Sequence, residues 1–223
     1  KKSKKICTKT IVSIFVNPKQ FNNWRDLKKY PRNISKDLKI LKNLKVDYVL
    51  IPKIKDVYNN RPKKIKLSDK DKILCARYRP GHFEGVLQVI EQFFKMIKPK
   101  MLFLGEKDFQ QMILIKNFLK NKYKVKIIPC KTIRHKTGYA YSSRNERLNK
   151  INDIKILSTV AVKLKRFYLL IKKNLVNTEK LKDLENELKQ YPIKIEYLEI
   201  RNKNNLSKKF NNKNFKIFIA YYY

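Results

Sequence analysis

Short apolar, β-branched runs alternate along this chain with segments whose apolar residues recur every three or four positions, and that alternation predicts an α/β fold. Residues 10–16 (TIVSIFV) read as a buried strand stopped by Asn17-Pro18. Leu38, Leu41 and Leu44 carry helical spacing over residues 35–44, and residues 46–51 (VDYVLI) form a second strand ended by Pro52. The strongest helix is predicted over residues 82–97, where Val86, Val89, Ile90, Phe93, Phe94 and Ile97 make a broad apolar stripe before Pro99. A strand at 101–104, a helix at 109–119 and a strand at 125–128 continue the alternation. Strands joined through helices imply a mostly parallel sheet covered on both faces, with ligands beyond the carboxyl ends of its strands.

After Pro129-Cys130 a polar loop intervenes, followed by helices predicted at 154–173 and 178–190 and strands at 193–200 and 215–222. The expected organisation is a first domain over residues 1–130 and a smaller α/β domain over 131–223 that closes on it. Closure would exclude water from a reactive intermediate.

Composition narrows the function classes. The 223 residues include 55 Lys and Arg against 18 Asp and Glu, a net charge of +37, with 43% hydrophobic residues, enough for a sizeable core. Lysine is spread along nearly the whole length. A nucleic-acid surface concentrates its charge on one face, so this spread favours biased residue usage on solvated faces over a nucleic-acid partner. Cys7, Cys75 and Cys130 are odd in number and widely spaced, which argues against a disulfide framework and a zinc site and fits a reducing compartment. No apolar run reaches the roughly 20 residues of a membrane helix, and nothing resembles a signal peptide, so a soluble cytoplasmic protein is expected.

Three segments carry candidate chemistry. Gly105-Glu106-Lys107-Asp108 follows a strand and opens a helix that holds Gln111; a glycine, a point positive charge and helix-start amides suit a nucleotide-binding turn. Ser142-Ser143-Arg144-Asn145 offers two hydroxyls and a guanidinium for a triphosphate and departing pyrophosphate, or else simply caps a turn. Asn17 and Gln20 flank Pro18-Lys19 directly after a strand, where uncharged amides can hold a carboxylate or hydroxyl; the bland alternative is turn formation. His82, at a helix start, suits a structural hydrogen bond better than base catalysis, and His135 is expected to be more exposed still. Neither stands beside a Ser or Cys nucleophile, so a hydrolytic triad is not expected.

Six ordered motifs resemble the pantothenate synthetases, the pantoate:β-alanine ligases: VSIFVNPKQF (residues 12–21), YPR (30–32), RPGHFEGV (79–86), GEKDFQQ (105–111), SSRN (142–145) and YLEIR (197–201). The resemblance implies a Rossmann-like nucleotidyltransferase domain with a parallel sheet, a smaller C-terminal domain and a homodimer. It implies Mg2+-ATP-dependent adenylation of pantoate, then attack by β-alanine to give pantothenate, AMP and pyrophosphate. By the same resemblance Gln20, Gln111 and Asn17 would hold pantoate and border the β-alanine site. Gly105, Glu106, Lys107, Asp108, Ile133, Tyr141, Ser142, Ser143 and Arg144 would bind ATP, with Lys107 and Arg144 catalytic and no protein metal site.

The family's HxGH motif, which precedes the VSIFVNP strand, does not occur in the sequence. The expectation is a fragment that lacks the family's first strand with that motif, a few tens of residues before Lys1, and a short tail, and that binds nucleotide poorly and turns over slowly or not at all. Two other functions compete with the ligase: a basic nucleic-acid-binding protein on the same fold, and an adenylating ligase for a different small acid.

Overall fold

The computed structural model describes residues 1–21, 23–58, 64–148 and 151–223. The chain divides into two units, one formed by Lys1–Asp71, Arg79–Leu104 and Leu114–Pro129, the other by Lys72–Tyr78, Gly105–Ile113 and Cys130–Tyr223.

In the first unit, α1 (Lys2–Ile6) leads into β1 (Ile11–Ser13), α2 (Trp24–Lys29), α3 (Ile34–Asn43), β2 (Tyr48–Leu50) and α4 (Ile54–Tyr58). β1 and β2 pair in parallel with Ile11 opposite Tyr48 and Ser13 opposite Leu50. The carboxylate of Asp47 sets this register, accepting from the Thr10 N–H at 2.8 Å and from Lys4 Nζ at 2.7 Å. These hydrogen bonds, that from Lys4 first, hold the Asp47 carboxyl below the usual range. The first strand is shorter than the apolar run 10–16 predicts: its ladder ends with the Ile14 N–H on the Leu50 carbonyl, close to where the partner strand meets Pro52, which has no N–H to donate.

In sequence, α5 (Cys75–Tyr78) lies between the first two of the three stretches of the first unit and belongs to the second unit. The long helix α6 (His82–Ile97) has the bounds its periodicity predicts. β3 (Met101–Gly105) pairs with β4 (Lys126–Cys130), and α7 (Phe109–Lys120) lies between them in sequence. Val86, Leu87 and Phe94 of α6 cluster with Ile115 and Leu119 of α7, and Leu102, Leu104, Val125 and Ile127 pack against that core. This is the i, i+3/4, i+7 spacing converted into burial.

The second unit contains α8 (Ile151–Lys172), α9 (Leu181–Lys189) and the antiparallel pair β5 (Lys194–Asn202) and β6 (Phe215–Tyr222). The helix expected over 178–190 begins instead with a turn of 3-10 helix, Thr178–Lys180, capped by the Asn177 side chain, before α9 proper. Val160, Phe167, Leu184, Leu188, Leu198, Ile200 and Phe215 form its core. A bulge between Ile195 and Tyr197 interrupts the β5–β6 register, and the Tyr197 ring stacks on Tyr78 at 5.7 Å with its hydroxyl 2.8 Å from Cys75 Sγ. The strands thus pair as three two-stranded sheets among the described residues, one of them parallel and one antiparallel.

Candidate active site

Asn17 is 2% exposed and caps the 3-10 turn Pro18–Gln20. Its Oδ1 accepts from the Lys19 N–H at 3.1 Å and from the Tyr58 hydroxyl at 2.5 Å, while its Nδ2 donates to the Gly85 carbonyl at 3.1 Å. Three of the four hydrogen-bonding positions of the amide are therefore used within the protein. Turn formation is what Asn17 visibly does.

Gln20 is built differently. Its main-chain carbonyl accepts from His82 Nδ1 at 2.6 Å and from Arg79 Nη2 at 3.2 Å. A carbonyl only accepts, so His82 carries its proton on Nδ1. The Gln20 side-chain amide, half-buried, has no hydrogen-bond partner among the described residues. The Gln20 main chain is thus held while its side-chain amide is unspent. His82, 7% exposed, makes the structural hydrogen bond expected of it.

Gly85 faces this turn closely. A Cβ placed there would lie 3.1 Å from both the Cβ and the carbonyl oxygen of Lys19, so the glycine lets α6 approach the turn.

The remaining candidates belong to the second unit. Gly105 has φ −73° and ψ 131°, a conformation open to any residue, and a Cβ there would meet nothing within 4 Å. The open space beside it, not its backbone freedom, is what suits a ligand. Glu106 receives Lys216 Nζ at 3.5 Å, and the same ammonium lies 4.6 Å from the centroid of the Phe109 ring, which meets Phe218 edge-on at 5.8 Å. Lys107 pairs with Asp108 at 3.4 Å, their side chains 40% and 62% exposed. Gln110 is buried and donates to the Ile73 carbonyl at 2.7 Å, whereas the side-chain amide of neighbouring, half-exposed Gln111 has no hydrogen-bond partner among the described residues.

The loop after β4 folds back on itself. An antiparallel bridge joins Arg134 and Ala140, the Tyr141 N–H donates to the Ile133 carbonyl at 3.1 Å, and Gly138 turns the chain at φ +101°. Gly138 is one of the positions where glycine is needed for its backbone. His135 is half-buried, contrary to its expected exposure: its ring stacks on Tyr139 at 4.8 Å, and its Nδ1 lies 2.9 Å from Thr137 Oγ1. Aromatic neighbours supplied in the same loop cover what its basic flanks would have left in solvent.

Ile133 is 71% and Tyr141 51% exposed. Ser142 caps the 3-10 turn Ser143–Arg147, its Oγ accepting from the Arg144 N–H at 3.3 Å, while Ser143 and Arg144 are exposed. The capping reading therefore holds for Ser142, and its hydroxyl proton stays available to an anion. Asn145 Oδ1 is buried without a hydrogen-bond partner among the described residues.

Sequence reasoning missed Tyr58, Arg79 as a clamp on Gln20, and Lys216. Arg79 sits in a recognisable motif, but Tyr58 and Lys216 carry no local signal. They act on residues 41 and 110 positions away.

The family model for pantoate–β-alanine ligases matches residues 1–223. Over 216 residues the chain is 40% identical to a bifunctional pantoate ligase/cytidylate kinase of Prochlorococcus marinus subsp. pastoris, covering 95% of this chain and 42% of that one. It is also 40% identical over 204 residues to the pantothenate synthetase of Leptospira interrogans, covering 89% and 71%. The crystal structure of a pantoate-β-alanine ligase from Francisella tularensis, complexed with β-γ ATP and β-alanine, superposes with a TM-score of 0.83 at 35% identity, over 99% of this chain and 77% of that one. The motifs, the nucleotidyltransferase-like α/β fold and these likenesses agree: the chain belongs to the pantoate–β-alanine ligase family.

Proposed function

We propose that this chain condenses pantoate with β-alanine at the expense of ATP, through a pantoyl adenylate, releasing AMP, pyrophosphate and pantothenate. The observation that carries this reading is Gln20, whose main chain is held by Arg79 and His82 while its side-chain amide stays unspent. Gln111 offers a second unspent amide. Uncharged amides hold a hydroxy acid without neutralising the carboxylate that must attack phosphorus.

In the first step a pantoate carboxylate oxygen bonds to the α-phosphorus and the bond to the bridging oxygen breaks, so pyrophosphate leaves. In the second the β-alanine amine attacks the acyl carbonyl, AMP departs, and the amine loses a proton. Lys107 and Arg144 meet the charge that develops on the phosphates, and the Ser142 and Ser143 hydroxyls donate to phosphate oxygens. Gly105, Glu106 and Asp108 line the nucleotide. The Ile133 carbonyl already accepts from the Tyr141 N–H, and its own N–H is the group that would meet an acceptor nitrogen of the base, with the exposed Tyr141 ring beside it. Asn17 frames the acid site and has one N–H left to offer it.

No cluster of three or more His, Cys, Asp or Glu suited to a metal occurs among the described residues. Mg2+ characteristically takes one or two carboxylates and completes its shell with phosphate oxygens and water, and the exposed Asp108 carboxylate fits that habit. Bound there, the ion would neutralise phosphate charge. We further propose the functional division into residues 1–130 and 131–223, pairing of two copies and a cytoplasmic setting; no helix among the described residues is long and apolar enough to cross a membrane.

The test is AMP and pyrophosphate release with each substrate omitted in turn. Release only when pantoate, β-alanine and ATP are all present is expected. ATP consumption indifferent to pantoate would overturn the reading, and another acid outperforming pantoate would redirect it. Tight, steeply salt-dependent DNA binding that survives Lys107→Ala would favour the nucleic-acid alternative.

A further inference from the structure

The hydrogen bonds around Asn17 admit one orientation of its amide. The Lys19 N–H can only donate, so the atom it meets is Oδ1; the Gly85 carbonyl can only accept, so the atom it meets is Nδ2. The Tyr58 hydroxyl, also on Oδ1, is therefore the donor in its 2.5 Å contact. The face of the same tyrosine ring lies 4.1 Å from Lys19 Nζ. One side chain at the end of α4 thus grips the residues on both sides of Pro18, one through its hydroxyl and the other through its π face. The next residue is Gln20.

We infer that Tyr58 is a positioning residue for the acid-binding turn, holding Asn17 and Lys19 so that the Gln20 amide is presented to the small-acid substrate. The inference rests on the ligase reading above. Tyr58 touches no reacting atom; its effect is transmitted through a turn whose proline already fixes one backbone angle and whose last carbonyl is fixed by Arg79 and His82. Burial raises the phenol to about 12, so the hydroxyl remains a donor throughout the physiological range.

Steady-state kinetics with pantoate and ATP varied separately test this. Tyr58→Phe keeps the ring under Lys19 and removes one hydrogen bond, and should raise the KM for pantoate about five- to tenfold. Tyr58→Leu also removes the cation–π contact and should raise it a further two- to fivefold or so. The KM for ATP should stay within about twofold in both, a separation that general loosening of the fold would not preserve. On an Asn17→Ala background Tyr58→Phe should add nothing, because both changes break one interaction. An unchanged pantoate KM in Tyr58→Phe, or effects of Tyr58→Phe and Asn17→Ala that simply multiply, would overturn the inference while leaving the ligase reading intact. Absence of pantoate-dependent AMP release from the unaltered protein would instead remove the ligase reading, and this inference with it.

Discussion

Lys216, on β6, reaches Glu106 at 3.5 Å, 110 residues away, and the same ammonium lies 4.6 Å above the ring of Phe109. One cation from the last strand therefore holds both ends of the turn that carries Lys107. Both partners of the ion pair are about a third exposed, so the pair contributes little to stability, on the order of 0.5 kcal/mol. Its consequence is placement. Lys216→Met is expected to raise the KM for ATP about two- to fivefold, leave that for pantoate unchanged, and shift the melting temperature by only a degree or two, as kinetics and calorimetry on one preparation would show.

Lys107 pairs only loosely with Asp108, both in solvent, so its removal should leave the fold intact. Lys107→Ala is expected to lower kcat about a hundredfold or more, the usual effect of losing a preorganised charge-stabilising group. Pyrophosphate release measures this, and an unchanged denaturation midpoint would show that the loss is chemical.

Two glycines should behave oppositely. At Gly85 a methyl group would press on the Lys19 backbone at 3.1 Å, so Gly85→Ala should destabilise by about 1–3 kcal/mol and raise the KM for pantoate. At Gly105 the methyl group meets nothing and φ is already negative, so Gly105→Ala should change stability by less than about 0.5 kcal/mol. If nucleotide occupies the space beside Gly105, that variant should nevertheless bind ATP more weakly. Urea unfolding and ATP titration of the two variants separate these outcomes.

Alkaline pH should unfold the protein through its half-buried phenols. Burial raises Tyr58 to about 12 and raises Tyr197 and Tyr221 as well. Each folded-state value lies above the unfolded one near 10, so the unfolded chain gives up these protons first. Their stabilisation is complete below about pH 10 and is lost as pH rises through the folded values. Denaturant midpoints from pH 8 to 11.5 should fall above pH 10, and Tyr197→Phe should flatten the fall. At the acid end the sign reverses for Asp47, whose lowered carboxyl contributes above its unfolded value near 3.8 and loses that contribution on acidification; Asp47→Asn should remove it.

Much of the architecture was legible locally. The stripe from Val86 to Ile97 delimited α6 to the residue, and the aromatic run 215–222 delimited β6. Both are long enough for one periodicity to dominate, since burying one face of an element imposes a repeat that any window of the sequence displays. The strand at 10–16 failed at its end because the length of a ladder depends on its partner, and Pro52 belongs to another segment.

Sequence by itself determined the alternation of strands and helices, the ordered motifs that place the chain in its family, and which residue types were available at Gln20, Gln111, Lys107 and Arg144. Tertiary structure alone decided what each of them is free to do. It spent the Asn17 amide on Tyr58, Lys19 and Gly85, left that of Gln20 unspent, brought Lys216 to Glu106, and joined residues 105–113 to the unit that contains 130–223. The reason is physical: periodicity records which face is buried, whereas a hydrogen bond between residues tens of positions apart exists only once the chain has folded back to bring donor and acceptor within 3 Å or so.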